Sequence, residues 1–139
     1  MTTRTLLSAA IVAIAFAAWP LIGRQARVSG PWMATLVMAG SAMMIAALSS
    51  PQLTAWPPAR ALWVLGGAAV ANGLAVYLYA SSVANPAVPT GPFIVVVSVL
   101  QVAAIPFLVW VMPGGRAPTF RQAVGFAFAA VAVYLLAKS

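Results

Sequence analysis

Four polar side chains inside long apolar segments are the residues of this sequence best suited to hydrogen-bond a ligand. They form two pairs: Asn72 and Tyr79 are seven positions apart, and Ser98 and Gln101 are three positions apart. On a helix, both spacings place the members of a pair on one face. Because amide and hydroxyl groups bind ligands without a fixed charge, we interpret the two faces as a substrate-binding lining. The alternative is that these groups hydrogen-bond one another across a contact between the third and fourth helices.

The sequence lacks the side chains on which most enzymes and metal sites depend. Its 139 residues include no Asp, no Glu, no His and no Cys. General acid–base catalysis, activation of a hydroxyl nucleophile and ordinary metal ligation all need such groups. We therefore expect no enzyme activity, no catalytic residue, no metal site and no cofactor. Direct ligation of a tetrapyrrole metal is disfavoured for the same reason.

The composition indicates a membrane protein. The chain is 64% hydrophobic and 5% charged, whereas soluble domains carry about 25% charged residues. Its seven Lys and Arg residues form no basic run, so no nucleic-acid partner is expected. They lie instead at the edges of apolar segments, where helix ends meet lipid phosphates. Arg24, Arg27 and Arg60 are the candidates for contact with membrane lipids or with an anionic head group.

Five apolar segments have lengths close to that of a membrane span. A helix needs roughly 20 apolar residues to cross a hydrocarbon core of about 30 Å. Clusters of Pro, Gly and Arg separate segments that predict helices over about residues 5–23, 31–49, 61–84, 91–112 and 121–137. The expected fold is an all-α integral membrane protein with five transmembrane helices in a single membrane domain, residues 1–139.

The cations give almost no orientation signal for this topology. One side would carry Arg4, Arg60, Arg116 and Arg121, and the other Arg24, Arg27 and Lys138. This near balance barely specifies an orientation under the positive-inside rule. We expect either insertion in both orientations, with pairing to an inverted second copy, or a partner protein that fixes the orientation.

Two further patterns concern helix packing and depth. Small residues at a spacing of about four predict close helix approach; they are Gly66, Gly67, Ala69, Gly73, Gly125 and Ala129. Tryptophans near the predicted helix ends are typical of an interfacial aromatic belt; they are Trp19, Trp32, Trp56, Trp63 and Trp110.

Three local patterns extend over much of the chain from Ala61 onward. They are Tyr-Leu-Tyr-Ala at residues 77–80, the turn Asn-Pro-Ala at residues 85–87, and Thr119 with Gln122 and Gly125 at the start of the last helix. In these features the chain resembles the five-helix repeat of the drug/metabolite transporter superfamily, in its EamA-type form.

The resemblance implies a single EamA-like repeat and a function in transport. It implies a half-size transporter or flippase in a bacterial inner membrane, for a neutral or anionic amphipathic or lipid-linked substrate. Such a short member would work as a homodimer, and an antiparallel pair would recreate the inverted repeat of secondary transporters. Proton-coupled exchange of cationic drugs is disfavoured, because it generally uses a buried carboxylate.

The chain departs from the family pattern in two ways. Members commonly carry a Gly-Glu pair before the last helix, and the Glu position falls on Arg116 here. Full-length members also have two repeats, whereas this sequence has one. The loss of the Glu, together with the absence of a protonatable group in the interior, favours an alternative function, a non-catalytic structural or assembly subunit of a larger membrane complex, with other membrane subunits as partners.

Overall fold

The computed structural model describes residues 3–52, 56–112 and 114–137, whose regular secondary structure is entirely helical. The helices are α1 (Thr3–Gln25), α2 (Gly30–Ser49), α3 (Ala59–Ala84), α4 (Thr90–Val111) and α5 (Phe120–Ala137), with a 3₁₀ turn at Ser50–Gln52. Each α-helix begins and ends within two residues of the position expected from the sequence. For the described residues, the expectation of an all-α fold with five α-helices is confirmed.

Four helices are long and apolar enough to cross a membrane: α1, α2 with its 3₁₀ turn, α3 and α4. Helix α5 has 18 residues, which corresponds to about 27 Å at 1.5 Å per residue, slightly less than a hydrocarbon core of about 30 Å. Length and composition therefore support an integral membrane protein with four spans, and the fifth span stays a prediction.

The chain divides into two compact units, and the first contains α1, α2 and α3. Helices α2 and α3 run antiparallel, because Gly30 at the start of α2 lies against Ser81 near the end of α3, whereas Met38 lies against Asn72, further back along α3. Their buried residues cluster at the end that contains Gly30. They are Met33, Ala34, Ala80 and Val83, with at most 7% of each residue exposed.

Helix α1 packs against α2 and α3 through its C-terminal third. Pro20 is fully buried, and the Trp19 ring packs against Tyr79 of α3. Gly23 lies beside Met33, whose Sδ would be 2.7 Å from a Cβ at position 23. The apolar residues of the N-terminal part, among them Ile11 and Ile14, are exposed. The short connector at residues 26–29 holds this end of α1 close to α2.

The second unit contains α4 and α5, which pack against each other. The turn after α4 uses two glycines. Gly114 has φ of +79°, a left-handed conformation that glycine adopts without steric cost. Gly115 donates its N–H to the Met112 carbonyl over 2.9 Å and lies so close to the Val109 carbonyl that a Cβ has no room. The turn between the two helices therefore requires glycine at position 115.

The glycines at which two helices approach closely are not the ones that the small-residue spacing predicts. Apart from the chain neighbours and the nearby backbone of their own helix, no atom lies within 4 Å of the Cβ position at Gly66, Gly67, Gly73 or Gly125. Within the part of the chain that the structure describes, these four glycines mark no close helix contact. The close contacts between helices are at Gly23, beside Met33 of α2, and at Gly30, beside Ser81 of α3. Both glycines flank the short connector between α1 and α2.

Candidate functional site

Asn72 lies at the middle of α3, as the fourteenth of its 26 residues. Its side chain is exposed, and Nδ2 lies 4.0 Å from Met38 Sδ. A carboxamide has two donor hydrogens and an acceptor oxygen with two lone pairs. One long contact to sulfur leaves most of this hydrogen-bonding capacity for other partners, as a ligand-binding role requires.

Tyr79, two turns further along α3, belongs to a packed contact. Its ring centroid lies 5.4 Å from that of Trp19, and the ring planes are inclined at 46°. Both residues are half-buried. Trp19 therefore packs against another helix of its own unit, rather than serving solely as the interfacial anchor that its position near a helix end predicted. By contrast, Trp56 and Trp63 are 85% and 84% exposed, and their role as anchors stays a prediction.

Ser98 on α4 uses its hydroxyl hydrogen within its own helix. The Ser98 hydroxyl donates to the Ile94 carbonyl over 2.9 Å, the backbone bond that serine commonly forms inside apolar helices. The hydroxyl oxygen can still accept a hydrogen bond, but its donor is occupied. Ser98 is thus a weaker ligand-binding candidate than the two amides.

Gln101 lies at the middle of α4, as the twelfth of its 22 residues. It is exposed, and its side chain forms no hydrogen bond with any residue in the described ranges. An amide within hydrocarbon must find a partner, because leaving it unpaired costs several kcal/mol. Within a membrane, Gln101 would therefore need a partner outside the described residues, such as a second protein chain, water or a ligand.

An apolar groove runs between α4 and α5, with a volume of about 400 Å³. Three residues of each helix line it: Ser98, Val99 and Val102 from α4, and Phe128, Ala129 and Ala132 from α5. Of these, only Ser98 was a candidate for ligand binding on sequence grounds, and Ala129 was noted for helix packing only. The others share the spacings of three and four that place residues on one helix face, but the surrounding residues are equally apolar and conceal the pattern.

The arginines assigned to head-group contact are all exposed at or near helix ends. Arg24 lies in the last turn of α1 and Arg60 in the first turn of α3. Arg27 follows α1 with φ of +53°, and its N–H donates to the Arg24 carbonyl over 3.2 Å. Because the sequence has no acidic side chain, these guanidinium groups are available to external anions. Lys138 lies outside the described residues.

Thr119 and Gln122 form a capping box at the start of α5. The Thr119 N–H donates to Gln122 Oε1 over 2.7 Å, and the Gln122 N–H donates to Thr119 Oγ1 over 3.4 Å. Both residues were noted in the sequence for the family resemblance only. The spacing Thr-x-x-Gln is itself a signature of this cap, which stabilises the first turn of the helix.

No protein-family model, curated protein or solved structure matches this chain. The resemblance to the drug/metabolite transporter repeat therefore rests on the residues quoted above and stays a prediction.

Proposed function

We propose that the chain is a half-size transporter or flippase of the drug/metabolite type, which works as a homodimer. The observation that carries the proposal is the pair of exposed amides, Asn72 and Gln101, each at the middle of a long apolar helix. Within a membrane such groups must face protein or water rather than lipid. A second copy would enclose each amide near the bilayer midplane, the depth at which secondary transporters bind their substrates.

The chemistry of these positions favours a neutral or anionic amphipathic substrate. Each offers an amide, and no carboxylate is present in the sequence to hold a cation or to carry a proton. Exposed arginines at helix ends, such as Arg24 and Arg60, provide positive charge for an anionic head group at the membrane surface.

The test is a lipid-translocation assay in reconstituted vesicles. Fluorescent phosphatidylglycerol or phosphatidylcholine is placed in the inner leaflet, and its movement is followed by quenching with dithionite from outside. We expect Asn72→Leu and Gln101→Leu each to slow translocation about tenfold, the effect of one lost hydrogen bond of about 1.4 kcal/mol. Ser98→Ala is the matched control with unchanged rate, because its hydroxyl hydrogen is used within α4.

Folded content, measured by circular dichroism, must be equal in all variants. Equal translocation by wild type, Asn72→Leu and Gln101→Leu would contradict the assignment of the two amides. Absence of translocation of either lipid by wild type would contradict flipping of such amphiphiles.

A second candidate is a structural subunit of a larger membrane complex. The observation that favours it is the open surface at Gly66, Gly67 and Gly73, where no atom lies within 4 Å of the Cβ position. A helix of another subunit can approach closely at such residues. Crosslinking in native membranes discriminates: a homodimer supports the transporter, and stoichiometric crosslinks to unrelated subunits support the structural subunit.

A further inference from the structure

We propose that the α4/α5 groove binds one acyl chain of an anionic glycerophospholipid, with the lipid phosphate at Arg121. The inference concerns a lipid held by the second unit of the chain. It does not depend on the proposed transport, which was assigned to the amides Asn72 and Gln101.

The groove has the chemistry of an acyl-chain site. Its lining consists of valine, phenylalanine and alanine side chains together with Ser98. The Ser98 hydroxyl already donates to Ile94, so this group presents no free donor hydrogen to the groove. A ligand portion that fits there must itself be apolar, because a polar group would lose its hydrogen bonds to water.

Arg121 lies on the same face of α5 as the groove. It precedes Phe128 by seven positions and Ala132 by eleven, and both separations are close to whole numbers of turns at 3.6 residues per turn. Arg121 is exposed and lies in the first turn of α5. The helix N-terminus adds positive partial charge there, so this end of the groove attracts an anion.

Gly125 keeps the path between Arg121 and the groove open. It lies four positions after Arg121 and three before Phe128, so it belongs to the same face. No atom lies within 4 Å of its Cβ position. A larger side chain at position 125 would therefore occupy the path of an acyl chain without meeting the rest of the described structure.

The length of this face matches one membrane leaflet. At 1.5 Å per residue, Arg121 lies about 10.5 Å along the helix from Phe128 and about 16.5 Å from Ala132. Half of a hydrocarbon core of about 30 Å is about 15 Å. A phospholipid whose phosphate contacts Arg121 can therefore extend an acyl chain along the whole groove.

Charge complementarity favours a lipid over a second copy of this chain. Besides Arg121, the connector before α5 carries Arg116, which is also exposed. A second copy contains no acidic side chain with which to neutralise these arginines, whereas an anionic phospholipid supplies a phosphate. A zwitterionic lipid supplies the phosphate together with a cation, so it should bind more weakly.

The test is native mass spectrometry of the full chain after reconstitution in vesicles of equal parts phosphatidylglycerol and phosphatidylcholine. We expect one retained lipid per chain, with phosphatidylglycerol favoured about fivefold, as one cation near an anionic lipid would give. Arg121→Gln should abolish this preference, and Arg4→Gln, the matched control in the first turn of α1, should leave it unchanged.

A second pair of variants tests the groove itself. Gly125→Leu should reduce lipid retention at least fivefold, whereas Gly73→Leu, at an equally open position on α3, should not. Equal retention by Gly125→Leu and wild type, or no preference for phosphatidylglycerol in wild type, would overturn the proposal. A lipid-free dimer that Gly125→Leu converts to monomer would show instead that a second copy occupies the groove. Circular dichroism of each variant checks that the helices are intact.

Discussion

Gly30 at the start of α2 lies against the backbone of Ser81 near the end of α3, where a Cβ on Gly30 would be 2.8 Å from the Ser81 nitrogen. Such a contact leaves no space for a side chain, and a backbone neighbour cannot move aside as a flexible side chain can. The contact lies beside the buried residues Ala80 and Val83, so it sets how closely α2 and α3 approach in the core of the first unit.

Gly30→Ala should therefore destabilise the protein. We expect a loss of about 1–3 kcal/mol, the usual cost of inserting a methyl group into a packed contact, measured by denaturant unfolding in detergent micelles. Gly40→Ala is the matched control on the same helix, where no atom lies within 4 Å of the Cβ position. It should be neutral or stabilising, because alanine favours helix more than glycine does. Equal changes in the free energy of unfolding for the two substitutions would contradict a close α2–α3 contact at Gly30.

The aromatic contact between Trp19 and Tyr79 should show energetic coupling. In a double-mutant cycle with Trp19→Leu and Tyr79→Leu, we expect a coupling free energy of about 0.5–1.5 kcal/mol, typical of an aromatic pair. The control cycle combines Trp63→Leu with Tyr79→Leu. Trp63 is 84% exposed, so this cycle should give a coupling free energy near zero. If the two cycles agree, α1 does not pack on α3 through this ring pair.

The backbone at Arg27 should prefer glycine. Its φ of +53° lies in the left-handed region, which costs a residue with a Cβ about 1 kcal/mol relative to glycine. Arg27→Gly should raise the free energy of unfolding by about that amount, measured by thermal unfolding. Arg24→Gly, inside the last turn of α1, should lower it by a similar amount. Destabilisation by both substitutions would contradict the left-handed conformation.

The capping box at Thr119 and Gln122 should protect the first turn of α5. Thr119→Ala should lower the free energy of unfolding by about 0.5–2 kcal/mol and speed amide hydrogen exchange at residues 121–123. Thr119→Ser keeps the capping hydroxyl, so it should leave both quantities close to the wild-type values. Thr35→Ala is the control within α2, where the Thr35 hydroxyl donates to the Pro31 carbonyl of its own helix. This substitution should leave amide exchange at residues 121–123 unchanged. Unchanged exchange in Thr119→Ala would argue against the cap.

The weak charge bias of the sequence is compatible with insertion in both orientations or with a partner protein that fixes the orientation, and the proposed antiparallel homodimer requires the first. Because the chain has no cysteine, single cysteines at Ser29 and Ala117 can report the sidedness of two connectors that five spans place on opposite sides. We expect a membrane-impermeant maleimide to label a fraction of each variant in intact cells. Complete labelling of one and none of the other would establish a fixed orientation and remove the basis for an antiparallel homodimer.

The positions of the helices could be predicted closely from the sequence because the signals are local. Proline and glycine interrupt the apolar segments at the connectors, as at Pro58 before α3 and at Gly114 after α4, and these residues restrict the backbone regardless of what packs nearby. The helix lengths followed from the same interruptions. The candidate amides were also apparent, since Asn72 and Gln101 are unusual residues in apolar segments.

The packing faces could not be predicted in the same way. The small residues Gly66 and Gly73 have the spacing of a helix contact, yet the close contacts occur at Gly23 and Gly30. Trp19 has the position of an interfacial anchor, yet it packs on Tyr79. In both cases the deciding factor is which parts of the helices meet in the first unit, and the spacing of residues along one helix does not specify this.

The sequence by itself determined an apolar helical chain without carboxylate, imidazole or thiol side chains, because those properties depend on residue types and on the lengths of local segments. Only the structure decided that the Ser98 hydroxyl is bonded within its own helix and that Phe128, Ala129 and Ala132 line a groove against α4. The physical reason is that apolar residues surround these helices on all sides. In lipid, a protein-facing valine and a lipid-facing valine are equally favourable, so hydrophobicity alone selects no packing face.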